Sequence, residues 1–259
     1  LYNLSNLISQ GCFDFSRLRL YPSNLFDNAS VGRRKIYNNS TFAYMLRCFF
    51  FWLIKIIGKE NIMANSSINK TRMLCETAIM IALATALSYV TIFSLPHGGS
   101  ITLFSQVPII IIGYRYGVKW GCTTGIIHGI LQMLLQGLGN FAYVKGIGAY
   151  LVLILADYVL AFMSLGLGGA MFKKVIKNQS VALGLGAFVG SFLRFICHFV
   201  SGVTIWADYA DGWKGVWAYS ASYNGSYMAV EAAISIVAVV ALSFVLDFNK
   251  ENLKKTKKA

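Results

Sequence analysis

The sequence predicts an all-α integral membrane protein, a six-transmembrane-helix bundle with both termini cytoplasmic. Three observations predict it. Hydrophobic residues make up 56% of the chain and charged residues only 13%, whereas soluble domains carry about a quarter charged residues. Past Met63 the apolar residues gather into six runs, at roughly 73–95, 101–116, 120–138, 147–171, 181–207 and 224–246. Most of these approach the roughly 20 residues that a span requires. Basic residues alternate between loops. The amino end (Lys70, Arg72), loop 2–3 (Arg115, Lys119), loop 4–5 (Lys173, Lys174, Lys177) and the tail (Lys250, Lys254, Lys255, Lys257, Lys258) hold twelve, against Lys145 and Lys214 in the other loops. That bias puts both termini in the cytoplasm. It also explains the formal net charge of +13 without a nucleic-acid partner, because the basic residues cap apolar runs and form no stripe.

Residues 1 to 62 read differently, mixing Asn/Ser-rich polar stretches with Arg33-Arg34-Lys35. Gly58-Lys59-Glu60, just upstream of Met63, can be encoded by a purine run of ribosome-binding type. We therefore expect 1–62 to be a translated leader or disordered extension outside the fold, and 63–259 to form one six-helix membrane domain. The apolar run from Ala43 to Ile57 is only 15 residues long and carries Arg47 and Lys55, too short and too charged for a span. It also lacks the cleavage pattern of a signal peptide.

In the first span Ala78, Ala82 and Ala86 recur every fourth residue, as do Gly113, Gly117, Gly121, Gly125 and Gly129 across the second and third. Small residues at this spacing let helices approach closely in lipid. For the glycines this means internal packing and a tight Tyr116-Gly117 turn; the alanines form a face that can meet another subunit. Cys12, Cys48, Cys75, Cys122 and Cys197 show no paired spacing, so neither a disulfide framework nor a metal site is indicated.

Ionisable residues inside a span cost about 2.5–3.5 kcal/mol each on insertion scales and call for a partner or a function. Near the start of the first helix Glu76 has Arg72 four residues before it for a partner. Asp157 sits near the middle of the fourth with apolar residues on both sides and Tyr158 next to it. The fifth carries Arg194 and His198 at i, i+4, with Trp206 eight residues further along. Asn224, Tyr227 and Glu231 in the sixth share one stripe, which should face the bundle interior, where Glu231 can neutralise Arg194. Together these residues describe an outward-opening pocket with an acidic group at depth and a wall of Tyr158, Trp206, Tyr219 and Tyr223. Such a pocket suits a flat, cationic, heteroaromatic ligand, through charge pairing, ring stacking and cation–π attraction of about 0.5–2 kcal/mol. Trp213 and Trp217 are assigned to the membrane interface. No phosphate loop, HExxH or nucleophile with His and acid partners occurs, so no enzyme activity and no cofactor are expected.

The segment from Met63 onward resembles the ThiT family, the thiamine-specific substrate-binding components of energy-coupling factor transporters. The resemblance rests on Ala156-Asp157-Tyr158, on Arg194-Phe195-Ile196-Cys197-His198-Phe199 leading to Gly202 and Trp206, and on Tyr219 followed by Asn224-Gly225. It implies a thiamine site made of Asp157, Tyr158, His198, Trp206, Tyr219 and Asn224. It also implies that Ala78, Ala82 and Ala86 dock onto a transmembrane coupling protein, which two partner ATPases drive. The family commonly has Glu where Asp157 stands, and a Trp in the first outer loop where Leu95-Pro96-His97-Gly98-Gly99-Ser100 has none. Two rival readings stay open: a binding subunit for another vitamin such as riboflavin, and a solitary proton-coupled transporter relaying through Asp157, His198 and Glu231. The second would be expected to show a repeated half or a broken helix pair, and neither is visible.

Overall fold

A computed structural model describes residues 70–95, 99–210, 214–250 and 253 of the chain. The segment 1–62, His97 and Trp213 lie outside the described residues.

Six helices form the bundle: α1 (Lys70–Ser88), α2 (Val107–Tyr116), α3 (Val118–Gln132), α4 (Ile147–Met171), α5 (Gln179–Thr204) and α6 (Val216–Val245). Four of them, α1, α4, α5 and α6, are each long and apolar enough to cross a membrane. The third span is longer than its α-helical part, because α3 runs on through a π-helix at Met133–Gly137 and a 3-10 helix at Leu138–Ala142. The second is shorter. Helix α2 has 10 residues, about 15 Å of rise against a hydrocarbon core of about 30 Å.

What stands in for the missing half of that span is a two-stranded hairpin. Apolar residues 89–95 and 101–104, expected to extend the first two helices, instead contribute to β1 (Thr91–Ser94) and β2 (Ser100–Thr102), paired antiparallel with Phe93 opposite Ile101. The β-branched run Val90-Thr91-Ile92 and the turn-forming residue types Pro96, Gly98 and Gly99 in the sequence favour this outcome locally. Helix α2 begins after it, with Pro108 in its first turn, where the missing N–H costs nothing. All of α2 from Val107 to Tyr114 is buried, which explains an Ile109-Ile110-Ile111-Ile112 run with no polar face. A positive φ of 89° at Gly117 then turns the chain directly into α3.

The glycine repeat packs the centre of the bundle. A Cβ placed on Gly125 of α3 would lie 2.8 Å from the Cα of Met163 in α4, and one on Gly121 would lie 2.6 Å from the carbonyl of Gly166. Helices α4 and α5 meet in the same way, with Gly168 against Gly190. Backbones in contact leave no slack, so α3, α4 and α5 behave as one block.

Helix α1 is attached differently. Its buried residues are Thr77, Ile81, Ala84 and Ser88, a single stripe. Much of its hold on α3 is polar: Trp120 Nε1 donates to Thr77 Oγ1 at 2.6 Å, Thr85 Oγ1 meets His128 Nδ1 at 3.3 Å, and Gln136 Nε2 donates to Ser88 Oγ at 2.7 Å. At the basic end Glu76 pairs with Arg72 at 2.9 Å as expected, but also with Arg115 at 3.0 Å and with the Tyr116 hydroxyl. Arg115 in turn donates to the carbonyls of Phe248 and Lys250, tying the start of α1, the α2–α3 turn and the tail together.

The packing predicts a position-specific cost. Gly125→Ala should destabilise the detergent-solubilised protein by about 1–3 kcal/mol, the usual cost of overpacking. Gly139→Ala, where nothing lies within 4 Å of the added Cβ, should leave the thermal midpoint unchanged.

Candidate ligand-binding site

Between the hairpin and helices α3 to α6 lies a cavity of about 180 Å³. Each of the six residues expected at the site lines it: Asp157, Tyr158, His198, Trp206, Tyr219 and Asn224. Arg194, Tyr223, Tyr227 and Glu231 line it too.

Asp157 and Tyr158 are presented by a π-helical stretch of α4, Leu153–Leu160. Such wide turns inside α-helices are frequent at functional positions. This one faces the π turn of α3, where the Tyr158 hydroxyl accepts from Asn140 Nδ2 at 2.9 Å and donates to the Gly137 carbonyl at 3.4 Å. Asp157 is buried, and its two oxygens have different surroundings. Oδ2 accepts hydrogen bonds from Ser201 Oγ at 2.8 Å and Trp206 Nε1 at 3.4 Å. Oδ1 lies 3.1 Å from His198 Nδ1, yet has no aligned hydrogen bond among the described residues. The contact is therefore an ion pair when His198 is protonated, and one face of the carboxylate stays open.

The aromatic wall comes from α6 and the segment after α5. Tyr219 stacks on Tyr223 at 5.7 Å between ring centres, and Tyr223 meets Tyr227 edge-on at 6.0 Å. The Tyr223 hydroxyl accepts from the Gly99 amide at 3.0 Å, so the wall also holds the hairpin. Helix α6 begins eight residues earlier than its apolar run suggested, which brings Tyr219 onto it. Trp206 follows α5 and packs against Tyr209 and Tyr143 at 5.7 and 6.2 Å. Trp217 is half exposed and packs outside the cavity against Phe199, tilted, at 5.5 Å between ring centres.

Asn224, Tyr227 and Glu231 face inward as one buried stripe, as expected. Asn224 has largely committed its amide: Nδ2 donates to the carbonyls of His198 at 3.2 Å and Ser220 at 3.0 Å, and Oδ1 accepts from Tyr227 at 3.1 Å. It orders the wall and retains a lone pair for a ligand donor. Glu231 pairs with Arg194 at 2.7 Å.

Sequence reasoning missed the wall opposite the aromatics, where Gln132, Gln136 and Asn140 line the cavity from α3 and its extension. Their i, i+4, i+8 spacing carried the signal, the same stripe logic that placed Asn224 and Glu231. It also missed Gly99, Ser100 and Thr102 of the hairpin. The alanines of α1 lie elsewhere: Ala78, Ala82 and Ala86 are exposed on the outside of the bundle, away from the cavity.

Comparison with known proteins fits this arrangement. The profile of the thiamine transporter protein family (Thia_YuaJ) matches residues 74–249. Thiamine transporter ThiT of Bacillus subtilis is 35% identical over 182 residues, 66% of this chain and 90% of its own. The Lacticaseibacillus paracasei ThiT is 29% identical over 179 residues, 64% and 84% of the two chains. A solved structure of ThiT from Listeria monocytogenes shares the fold at a TM-score of 0.55 and 24% identity, covering 68% of this chain and 94% of that one. With a membrane-spanning helical bundle and a family match running from α1 to the tail, the chain is a multi-pass membrane protein and belongs to the thiamine transporter protein family, a family of transporters and not of enzymes.

Proposed function

We propose that this chain is the substrate-binding component of an energy-coupled importer, capturing thiamine outside the cell and passing it inward. Asp157 carries the reading. It is a buried carboxylate with one open oxygen, set in an aromatic-walled cavity, and thiamine carries two aromatic rings, one of them a thiazolium with a permanent positive charge. In the assigned roles Asp157 balances that charge, Tyr158, Trp206 and Tyr219 supply ring faces, and His198 and Asn224 offer hydrogen bonds to the heterocycle. The alternation of basic loops supports placing the hairpin and the α5–α6 loop on the outer side. Riboflavin, an uncharged aromatic vitamin, gives Asp157 no partner.

The chain contains no ATP-hydrolysing motif. In this proposal a transmembrane coupling protein and two ATPase subunits provide the energy, and the coupling protein docks on α1. Supporting that contact, Ala78, Ala82 and Ala86 are exposed on one face of a helix held to the bundle by a single stripe. A face of small side chains admits a second helix at close range.

Two measurements test the proposal. Titrating thiamine into the detergent-purified protein should quench tryptophan fluorescence saturably through Trp206, with excess riboflavin without effect. Asp157→Asn should weaken binding by about 2 kcal/mol or more, some thirtyfold in Kd, the usual result of removing one partner of a buried charge pair. A well-folded protein that ignores thiamine, or an Asp157→Asn protein that binds normally, defeats the assignment. Separately, Ala82→Trp should leave thiamine binding intact and abolish co-purification with the coupling protein.

A further inference from the structure

Four side chains that line the cavity can carry charge near neutral pH: Asp157, His198, Arg194 and Glu231. Glu231 and Arg194 cancel one another at 2.7 Å. Glu231 is further saturated by Thr102 and Gln106. Asp157 is therefore the carboxylate left to balance, and it is 8% exposed. Its Oδ2 receives only neutral donors, Ser201 and Trp206. Among the described residues, the basic side chain in ion-pair distance of it is His198, 3.1 Å from Oδ1. Burying an ionised carboxylate without a counter-charge costs several kcal/mol. A protonated His198 is the counter-charge that this geometry offers.

A permanently cationic ligand changes this balance. If it settled at Asp157 beside an imidazolium, two cations would share one carboxylate and the cavity would carry a net charge of +1. Releasing the imidazolium proton restores neutrality. A freed imidazole nitrogen can then accept a hydrogen bond from the ligand, and His198 Nε2 has no protein partner among the described residues. Resting on the thiamine reading above, we infer that His198 is a cation-exchange residue: it holds a proton as the counter-ion of Asp157 in the empty cavity and gives that proton up when a fixed-charge ligand takes its place. The pair then also sets specificity, since a neutral heteroaromatic has no charge with which to displace the proton.

The other titratable groups on the helices around His198 do not offer the same exchange. They include Tyr150 and Tyr158 of α4, Arg194 and Cys197 of α5, Cys122 and His128 of α3, and Glu231 with Tyr219, Tyr223 and Tyr227 of α6; the described hairpin strands contribute none. Phenols and thiols are uncharged near neutral pH, and arginine keeps its proton throughout. Glu231 is committed to Arg194. His128 contacts Thr85 and meets the Phe162 ring edge-on, whereas no ion pair joins it to Asp157 among the described contacts.

The sign follows from linkage. Because the empty cavity binds a proton that the occupied one does not, the association constant falls as pH falls through the range where His198 becomes charged. The slope approaches tenfold per pH unit, and above that range affinity is flat.

Calorimetry decides the matter. Thiamine is titrated into the full detergent-purified chain at several values between about pH 5 and 8, in buffers of differing ionisation enthalpy. Wild type should release close to one proton per thiamine at the acid end and none at the alkaline end. His128→Gln should behave as wild type, and His198→Gln should show no buffer dependence and a flat pH profile. Binding heats independent of buffer across the whole range in the wild type overturn the inference and leave the thiamine reading standing, whether or not His198→Gln folds. Release that survives in His198→Gln, or disappears in His128→Gln, overturns the assignment to His198. No binding of thiamine by any measure overturns both readings.

Discussion

The Glu231 carboxylate accepts the Thr102 amide at 2.9 Å and the Thr102 hydroxyl through Oε1, and Gln106 Nε2 at 2.8 Å and Arg194 Nη1 at 2.7 Å through Oε2. This single buried side chain of α6 thereby fixes the hairpin, the entry to α2 and the middle of α5. The constraint behind it is that backbone at membrane depth must find its hydrogen bonds within the protein. A full-length second helix would meet that demand by itself. Here the chain uses a hairpin above a short helix, and Thr102 N–H takes its bond from α6. Ser191 Oγ extends the network by donating to Gln106 Oε1 at 3.0 Å. Irregular backbone is tolerated where it lines a cavity, and this hairpin does.

Once Glu231 is consumed in that way, the two buried acids of the cavity separate into different roles. Glu231 has four donors, one of them the Arg194 guanidinium, which makes it structural. Asp157 has an oxygen without an aligned donor and a partner whose charge depends on a proton. The surroundings, and not the residue type, decide which acid can meet a ligand. The glycine contacts make this separation durable. Asp157 sits on α4, whose backbone touches α3 and α5 through Gly125, Gly129, Gly168 and Gly190. The carboxylate thus sits where helix backbones touch, while α1 is tethered by a polar seam.

The sequence made the helical bundle, the inward stripe of α6 and the Arg194–Glu231 pair legible because each depends on a strong local rule: a long apolar run, helical periodicity, or the cost of a buried charge. Glycine packing was readable for the same reason. The hairpin was hidden because residues 89–95 and 101–104 are as apolar as the helices they adjoin, and hydropathy does not distinguish a strand from a helical turn. Early termination of α1 depended on tertiary partners, above all Glu231, 129 residues away from Thr102. The π turns were hidden too, since an inserted residue leaves composition unchanged. They nonetheless decide that Asp157 and Tyr158 both reach the cavity. Gln132, Gln136 and Asn140 are a different case: the stripe is visible, but a neutral amide costs less to bury than a charge and so signals less strongly in a sequence.

The cavity and the segments above it share atoms. Trp206, which donates to Asp157, is the first residue beyond the α5 C-cap and packs on Tyr209 of the α5–α6 loop. Tyr223, part of the aromatic wall, holds the hairpin through Gly99. A cation that draws close to Asp157 must share Oδ2 with Trp206 or approach through Oδ1 beside His198, and a ring stacking on Tyr219 or Tyr223 lies against the hairpin tether. The bonds that define the site are thus also bonds that hold the two loops at this end. The cavity and the described parts of the two adjoining segments are built from the same side chains.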